Sequence, residues 1–204
     1  MNRRLTPRGR ERRQQLMDYA ATRFAEQGYH PTSVAEIVEG LGVGKGVFYW
    51  YFSSKEELFL EILRDAHTDL RRAQQRAIEG EEDPVARIAL GIRASMRWSS
   101  EHLQLHQLFA FAASEERFAP SLRQGERIAV DVAARHVREG IERGEIHDGD
   151  PEVISHAILG VTSHLVRRYV MEKGRPWPEV ADAAVSFCLQ GLLVERSDRV
   201  RSPA

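Results

Sequence analysis

The chain has 204 residues, a length that suits one domain with a substantial core or two smaller domains. Its composition, 42% apolar and 29% charged, is that of an ordinary soluble protein, and no apolar run approaches the roughly 20 residues of a membrane span. The single cysteine excludes an internal disulfide framework and fits a reducing compartment, so we expect a cytoplasmic protein without a membrane partner.

The net charge of -1 conceals an asymmetry along the chain. Residues 1–55 carry nine Lys and Arg against five Asp and Glu, a balance of +4, whereas the remainder carries 20 against 25, a balance of -5. A basic first quarter indicates either an end that meets a polyanion or a solvated arm without a partner.

The first part of the chain shows helical periodicity with recognisable start and stop residues. The predicted helices cover residues 8–27, 34–40, 45–52 and 55–79. Ser33 with Glu36, and Ser54 with Glu57, have capping-box spacing at the starts of the second and fourth of these helices. Two short helices joined by a glycine turn form a helix-turn-helix, whose second helix lies in the DNA major groove.

The glycine turn lies in the stretch GLGVGKGVFYWYF, residues 40–52, which has to be distinguished from a nucleotide-binding loop. A P-loop would need a glycine and a hydroxyl residue where Glu39 and Gly46 stand, and the dinucleotide fingerprint also lacks its third glycine. In the following helix Phe48 and Phe52 share a face, which we assign to the core, so Tyr49 and Trp50 point elsewhere.

The rest of the chain is also predicted to be helical. These helices cover residues 84–98, 101–113, 120–143, 151–171 and 179–195. Asp83 and Asp150 precede Pro84 and Pro151, a cap-and-proline start in both places. We therefore expect a DNA-binding domain at 1–54, a helical domain at 55–196 and a disordered tail at 197–204.

The last two predicted helices carry more apolar surface than one core face requires. This favours a homodimer in which they form a four-helix bundle with their copies, and a large intramolecular core is the alternative. The predicted interface residues are Ile158, Val161, Leu165, Phe187 and Leu192.

The stretch TSVAEIVEGLGVGKGVFYWYFSSKEELFLEIL, residues 32–63, closely resembles the DNA-binding domain of the TetR family of bacterial transcriptional regulators. The likeness begins earlier, at FAEQGY, and beyond about residue 65 it is one of helix number and size. It implies an all-α fold with an N-terminal three-helix helix-turn-helix domain and a C-terminal helical ligand-binding and dimerisation domain. The expected function is a repressor that binds a palindromic double-stranded operator as a homodimer and is released by a small, partly apolar effector.

The resemblance also implies roles for individual residues. Ser33 and Lys55 would hold phosphates, Lys45, Gly46 and Val47 would approach base edges, and Tyr49, Trp50 and Tyr51 would lie along the DNA backbone. Arg8 and Arg10 would reach neighbouring phosphates or the minor groove. Three positions depart from the family pattern, because Gly44 replaces a capping serine, Val47 a hydroxyl residue, and Trp50 a histidine or tyrosine.

The family likeness further implies an effector pocket in the helical body, although each candidate lining residue also fits a plain core position. The candidates are Trp98, Leu105, His106, Phe109, Phe111, Ile128 and Val132. His102 and His106 have the spacing of a metal pair, but no further ligand completes a site, so we expect no metal and no cofactor. The alternatives are a DNA-binding activator, an architectural DNA-binding protein, and a histidine- or metal-dependent enzyme.

Overall fold

The computed structural model describes residues 5–193. These residues are helical and contain no strand, apart from one isolated antiparallel bridge between Ile146 and Leu193, which confirms the all-α prediction. The helices are α1 (Pro7–Gln27), α2 (Val34–Gly40), α3 (Lys45–Tyr51), α4 (Lys55–Ile78), α5 (Pro84–Glu101), α6 (Leu103–Ser114), α7 (Ala119–Glu142), α8 (Pro151–Leu165) and α9 (Trp177–Leu192). No helix within residues 5–193 is long and apolar enough to cross a membrane.

The predicted helix starts at residues 34, 84 and 151 are confirmed by their caps. The Ser33 hydroxyl accepts from the backbone N–H of Glu36 at 3.1 Å, and the Asp83 and Asp150 carboxylates accept from Val85 and Glu152, each at 2.9 Å. Side-chain acceptors of this kind satisfy backbone donors that the first helical turn leaves without partners.

Several bounds of α5, α6 and α9 differ from the prediction by two or three residues, and two elements differ in their type of helix. Glu116–Phe118 forms a 3-10 turn before α7, and α8 continues after Leu165 as the π-helix Val166–Met171 instead of a regular α-helix. Buried residues recur every four positions here, at Ile158, Thr162, Val166 and Val170. Side chains four positions apart drift around an α-helix, because one turn has only 3.6 residues. The wider π-turn offsets this drift and helps to keep the four side chains towards the core.

The described residues divide into two compact units whose bounds differ from the predicted domains. The first unit contains residues 5–68 and 103–124, and the second contains 69–102 and 125–193. Residues 55–68 belong to the first unit because the start of α4 buries apolar side chains in its core. Helix α6 belongs to it because Leu108 and Ala112 are buried in the same core. The predicted tail at 197–204 lies outside the described residues.

Each unit has its own apolar core. The first core includes Leu16, Phe24, Ile37, Phe48, Phe52, Phe59 and Phe118. The second core includes Ile92, Met96, Val137, Ile146, Val166, Ala181 and Ala184. In the second unit α9 packs most extensively against α5 and also contacts α8.

Candidate nucleic-acid interface

The turn between α2 and α3 depends on one glycine. Gly42 has φ of 64°, a left-handed conformation that residues with a side chain rarely adopt. Its N–H donates to the carbonyl oxygen of Glu39 at 2.9 Å, and the N–H of Val43 donates to that of Val38, also at 2.9 Å. These bonds close the end of α2 and direct the chain into α3.

Helix α3 separates its aromatic side chains as the sequence predicts. Phe48 and Phe52 are 0% and 1% exposed, whereas Tyr49 and Trp50 are 57% and 52% exposed. Lys45 is also exposed, at the start of the helix. The face of α3 that the core leaves free therefore offers a cation, a phenol and an indole N–H.

The start of α3 is open to solvent. Gly44 is the N-cap and supplies no side-chain hydrogen bond, and a Cβ added at Gly44 or Gly46 would meet no atom within 4 Å. Val47 and Tyr51 are half-buried. Nothing within the first unit therefore obstructs a close approach to the α3 backbone at Gly44 and Gly46.

Ser33 and the early arginines lie at the surface of the first unit. Ser33 is exposed and accepts the capping bond at its hydroxyl oxygen, so its hydroxyl proton can be donated to another group. Arg8 and Arg10 are exposed in the first turn of α1, where Arg10 also donates to the carbonyl oxygen of Leu5 at 2.8 Å. Arg13, by contrast, forms an ion pair with Glu61.

Lys55, for which the resemblance implies a phosphate contact, donates to backbone carbonyls within the first unit. Its Nζ donates to the carbonyl oxygens of Tyr29 and Thr32, each at 2.8 Å, and to that of His30 at 3.2 Å. Burial, followed by the nearby charge of Arg117, lowers the pKa of the Lys55 ammonium group. In this structure Lys55 therefore binds the protein backbone.

The residues predicted to line an effector pocket belong to different units. Leu105, Phe109 and Phe111 pack against the first core, and His106 is half-buried on the same helix. This agrees with the core alternative for the three apolar residues.

In the second unit Trp98 is buried, and its Nε1 donates to the Asp69 carboxylate at 2.8 Å. Ile128 and Val132 are half-buried on α7. His102 stacks on Trp98 with 4.4 Å between ring centres, and its Nδ1 lies 2.7 Å from the Trp98 carbonyl oxygen. Among the described residues no group of three His, Cys, Asp or Glu is placed to hold a metal ion.

The predicted dimer residues differ in how much surface they expose. Ile158 is buried in the core of its own chain, and Val161, Leu165 and Leu192 are partly buried against that core. Only Phe187 of the predicted set is largely exposed, at 67%. Val153 on α8, which was not predicted, is 63% exposed, and its position outside the i, i+4 series of Ile154 and Ile158 was the available signal.

An aromatic cluster surrounds Tyr29 and was not predicted from the sequence. The Tyr29 ring centre lies 5.2 Å from that of Phe111, 5.0 Å from that of Phe59 and 5.5 Å from that of Phe118. The Arg117 guanidinium lies 5.1 Å from the same ring centre. Helix α6 and the 3-10 turn are thereby built into the unit that carries the helix-turn-helix.

Helix α3, the second helix of the motif, exposes cationic and aromatic side chains and is held by a glycine turn on a three-helix core. This arrangement defines a helix-turn-helix DNA-binding protein. Residues 16–62 match the family described as bacterial regulatory proteins, tetR family, and residues 81–192 match its tetracyclin repressor-like C-terminal domain. The chain therefore belongs to the tetR family, and it is a DNA-binding transcriptional regulator, not an enzyme.

Similar proteins cover most of the chain. The HTH-type transcriptional repressor KstR2 of Mycobacterium tuberculosis is 30% identical over 165 residues, which is 78% of this chain and 81% of the relative. The fatty acid metabolism regulator protein of Bacillus subtilis is 24% identical over 160 residues, 77% of this chain and 82% of the relative. The solved structure of the ketosteroid transcriptional regulator KstR2 of Mycobacterium tuberculosis matches with a TM-score of 0.68 and 27% identity, covering 90% and 96% of the two chains.

Proposed function

We propose that the protein is a repressor that binds a palindromic operator as a homodimer and leaves it when a small, partly apolar effector binds. The observation that carries this proposal is the division of α3 into a buried face and an exposed one. Tyr49 and Trp50 are more than half exposed beside Lys45, although an isolated domain gains nothing by exposing two large aromatic rings. Repression is the activity named for KstR2, the relative that is 30% identical.

The DNA contacts in this proposal follow the exposed residues of the first unit. Lys45 and the backbone of Gly46 approach base edges together with Val47, whose methyl groups suit a thymine methyl. Tyr49 and Trp50 lie along the DNA backbone with Tyr51 beside them. The remaining phosphate contacts in this proposal come from Ser33, Gly44, Arg8 and Arg10. Such contacts fix the register of a helix in the groove.

The second copy in this proposal packs on α8 and α9. Phe187 and Val153 are the large apolar side chains that the two helices leave exposed, and a second copy that covered them would remove this apolar surface from water. Two copies related by a twofold axis would form a four-helix bundle, as palindromic half-sites require.

The effector in this proposal occupies the second unit, next to the half-buried Ile128 and Val132 of α7 and the buried Trp98 of α5. An apolar lining with a few polar groups is typical of small-molecule sites. The names of the two relatives concern ketosteroids and fatty acid metabolism, which supports an effector with a large apolar part.

Selection of bound sites from a random DNA pool tests the proposal. We expect an enriched palindrome, bound at least about 10³-fold more tightly than scrambled DNA at moderate salt. The selected site is then titrated with fatty acyl thioesters, steroid acids and aromatic compounds, and one class should lower the affinity. Equal binding to scrambled DNA would contradict a sequence-specific regulator, and a single half-site without a palindrome would contradict the homodimer.

A further inference from the structure

The first turn of α3 carries one polar side chain. Its residues are Gly44, which caps the helix, followed by Lys45, Gly46 and Val47. Both glycines face open space, because a Cβ added at either would meet no atom within 4 Å. Lys45 is exposed and Val47 is half-buried, so this turn presents an ammonium group and part of an isopropyl group beyond its backbone.

These two side chains restrict which base edges the turn can bind. An ammonium group only donates hydrogen bonds, and an isopropyl group forms none. The amino groups of adenine and cytosine are donors in the major groove, and proteins bind them with the acceptor side chains of Asn, Gln, Asp and Glu. Helix α3, KGVFYWY, contains none of these four residue types. Its first turn therefore has no side chain that accepts a hydrogen bond from a base.

Guanine is the base that suits Lys45. It offers two neighbouring acceptors in the major groove, N7 and O6, and lysine binds both. Adenine offers N7 beside an amino group, whose hydrogens repel a cation, and thymine offers O4 alone. A compact charge with three donors therefore gains most from guanine.

Thymine is the base that suits Val47, because its methyl group is apolar and lies in the major groove. A valine side chain is short, so it reaches that methyl group only if the α3 backbone comes close to the bases. The missing side chains of Gly44 and Gly46 permit this approach. Successive residues of an α-helix are about 100° apart, so Lys45 and Val47 point about 200° apart and reach different base pairs.

The acidic residues of α2 do not supply the missing acceptor. Glu36 is turned towards α1, where its carboxylate accepts from two nitrogens of Arg23 at 2.7 and 3.0 Å. Glu39 is exposed at the end of α2. The first helix of a helix-turn-helix crosses the DNA backbone, where phosphates repel a carboxylate.

We propose that in each half-site the first turn of α3 selects a guanine through Lys45 and a thymine through Val47, at two different base pairs, and binds no amino group of adenine or cytosine. The inference rests on the proposed operator binding and deepens it by naming the bases that are recognised. The hydroxyl groups of Tyr49 and Tyr51 can accept hydrogen bonds, but they lie beyond the first turn and along the DNA backbone in that proposal.

Base analogues in the selected operator test the two contacts separately. 7-Deazaguanine lacks the N7 acceptor, and deoxyuridine lacks the thymine methyl group. Each guanine and each thymine is replaced in turn, in both half-sites together, and affinity is measured by fluorescence anisotropy. We expect one guanine at which 7-deazaguanine weakens binding about fivefold or more, and one thymine at which deoxyuridine weakens it about fourfold or more.

Two variants assign these losses to their side chains. In Lys45→Met the loss caused by 7-deazaguanine should disappear while the loss caused by deoxyuridine stays, and in Val47→Ala the reverse should hold. Val47→Thr has nearly the same shape but carries an acceptor, so it should tolerate cytosine at the thymine position better than wild type does. Lys173→Met in the second unit and Glu39→Gln are controls that should keep both losses. Circular dichroism should show unchanged helix content in every variant.

Repeating the site selection with the variants separates this inference from the proposed function. Lys45→Met should relax the preference at one G·C pair of each half-site, and Val47→Ala at one A·T pair. A palindrome in which Lys45→Met relaxes only an A·T pair, or Val47→Ala only a G·C pair, would overturn the inference and leave the proposed function intact. Analogue losses that persist in both variants, or a base preference that Tyr49→Phe abolishes, would also overturn it. A pool without an enriched site would overturn both.

Discussion

Gly40 and Tyr19 occupy adjoining space at the contact between α2 and α1. A Cβ added at Gly40 would lie 1.9 Å from the Tyr19 hydroxyl oxygen and 2.2 Å from Cζ. The last residue of α2 is therefore a glycine for a steric reason, because the Tyr19 ring lies where a side chain would begin.

Gly40→Ala should lower the free energy of unfolding by about 0.5 to 1.5 kcal/mol, since the half-buried Tyr19 side chain has to turn away from its preferred rotamer. Tyr19→Ala in the same chain removes the obstruction, so the double variant should lose less than the two single variants together. Urea unfolding followed by circular dichroism measures the difference. Gly46→Ala is the control, because its Cβ meets nothing within 4 Å and should not destabilise the protein. Additive losses would mean that the ring is not the cause.

Neighbouring aromatic residues of α3 should separate stability from DNA binding. Phe48→Ala empties a fully buried position and should cost about 3 to 5 kcal/mol of unfolding free energy. Tyr49→Ala should change stability by no more than about 0.5 kcal/mol, because the side chain is mostly exposed, yet it should weaken operator binding. Unfolding curves and fluorescence anisotropy with labelled operator give the two quantities. Unchanged affinity in Tyr49→Ala would place the recognition surface elsewhere.

Glu57 should make the first unit sensitive to acid. Its carboxylate accepts from the backbone N–H and the hydroxyl of Ser53, each at 2.5 Å, and these bonds lower the Glu57 pKa below its ordinary value of 4.5. A lowered folded-state pKa contributes stability that is present above pH 4.5 and is lost as the pH falls through the folded-state value.

Glu57→Gln should therefore destabilise the protein at neutral pH, and the difference from wild type should shrink below pH 4.5. Urea unfolding from pH 7 down to about pH 3 records this difference. Glu39→Gln, at an exposed position of α2, controls for loss of a negative charge. A Glu57→Gln difference that stays constant with pH would show that the Ser53 bonds do not depend on the carboxylate charge.

Phe187→Arg should separate the proposed dimer without damaging the core. The side chain is 67% exposed in the single chain, so a charged replacement is tolerated there and becomes costly only when a second copy covers it. Sedimentation should detect a monomer, and circular dichroism should show unchanged helix content. Leu192→Arg is less selective, because Leu192 is partly buried against the second core and its replacement also disturbs the fold. A Phe187→Arg protein that remains dimeric would place the interface on another surface.

Cys188 should react with a thiol reagent only when the second unit opens. Burial covers the side chain and also raises the pKa of its thiol, so little thiolate is present at neutral pH. The reaction with Ellman's reagent in increasing urea should follow the unfolding transition seen by circular dichroism. Rapid reaction in native buffer would contradict the burial of Cys188.

The helix boundaries and the helix-turn-helix could be predicted because their signals are local. Ser33, Asp83 and Asp150 cap helices through bonds to residues two or three positions away, and Gly42 provides the turn by its own backbone freedom. The π-helix after Leu165 was missed, because it depends on which face of the helix the neighbouring helices bury.

The sequence by itself determined the helical class, the position of the DNA-binding motif and the outward face of α3, since each follows from spacing within a few residues. Only the tertiary structure decided that α6 joins the first unit and that Lys55 binds carbonyls. Phe111 is 82 positions from Tyr29, and Lys55 is 23 to 26 positions from its three acceptors. Contacts of this kind form only when distant segments pack together. The free energy that stabilises them depends on residues far apart in the sequence, so no short stretch predicts them.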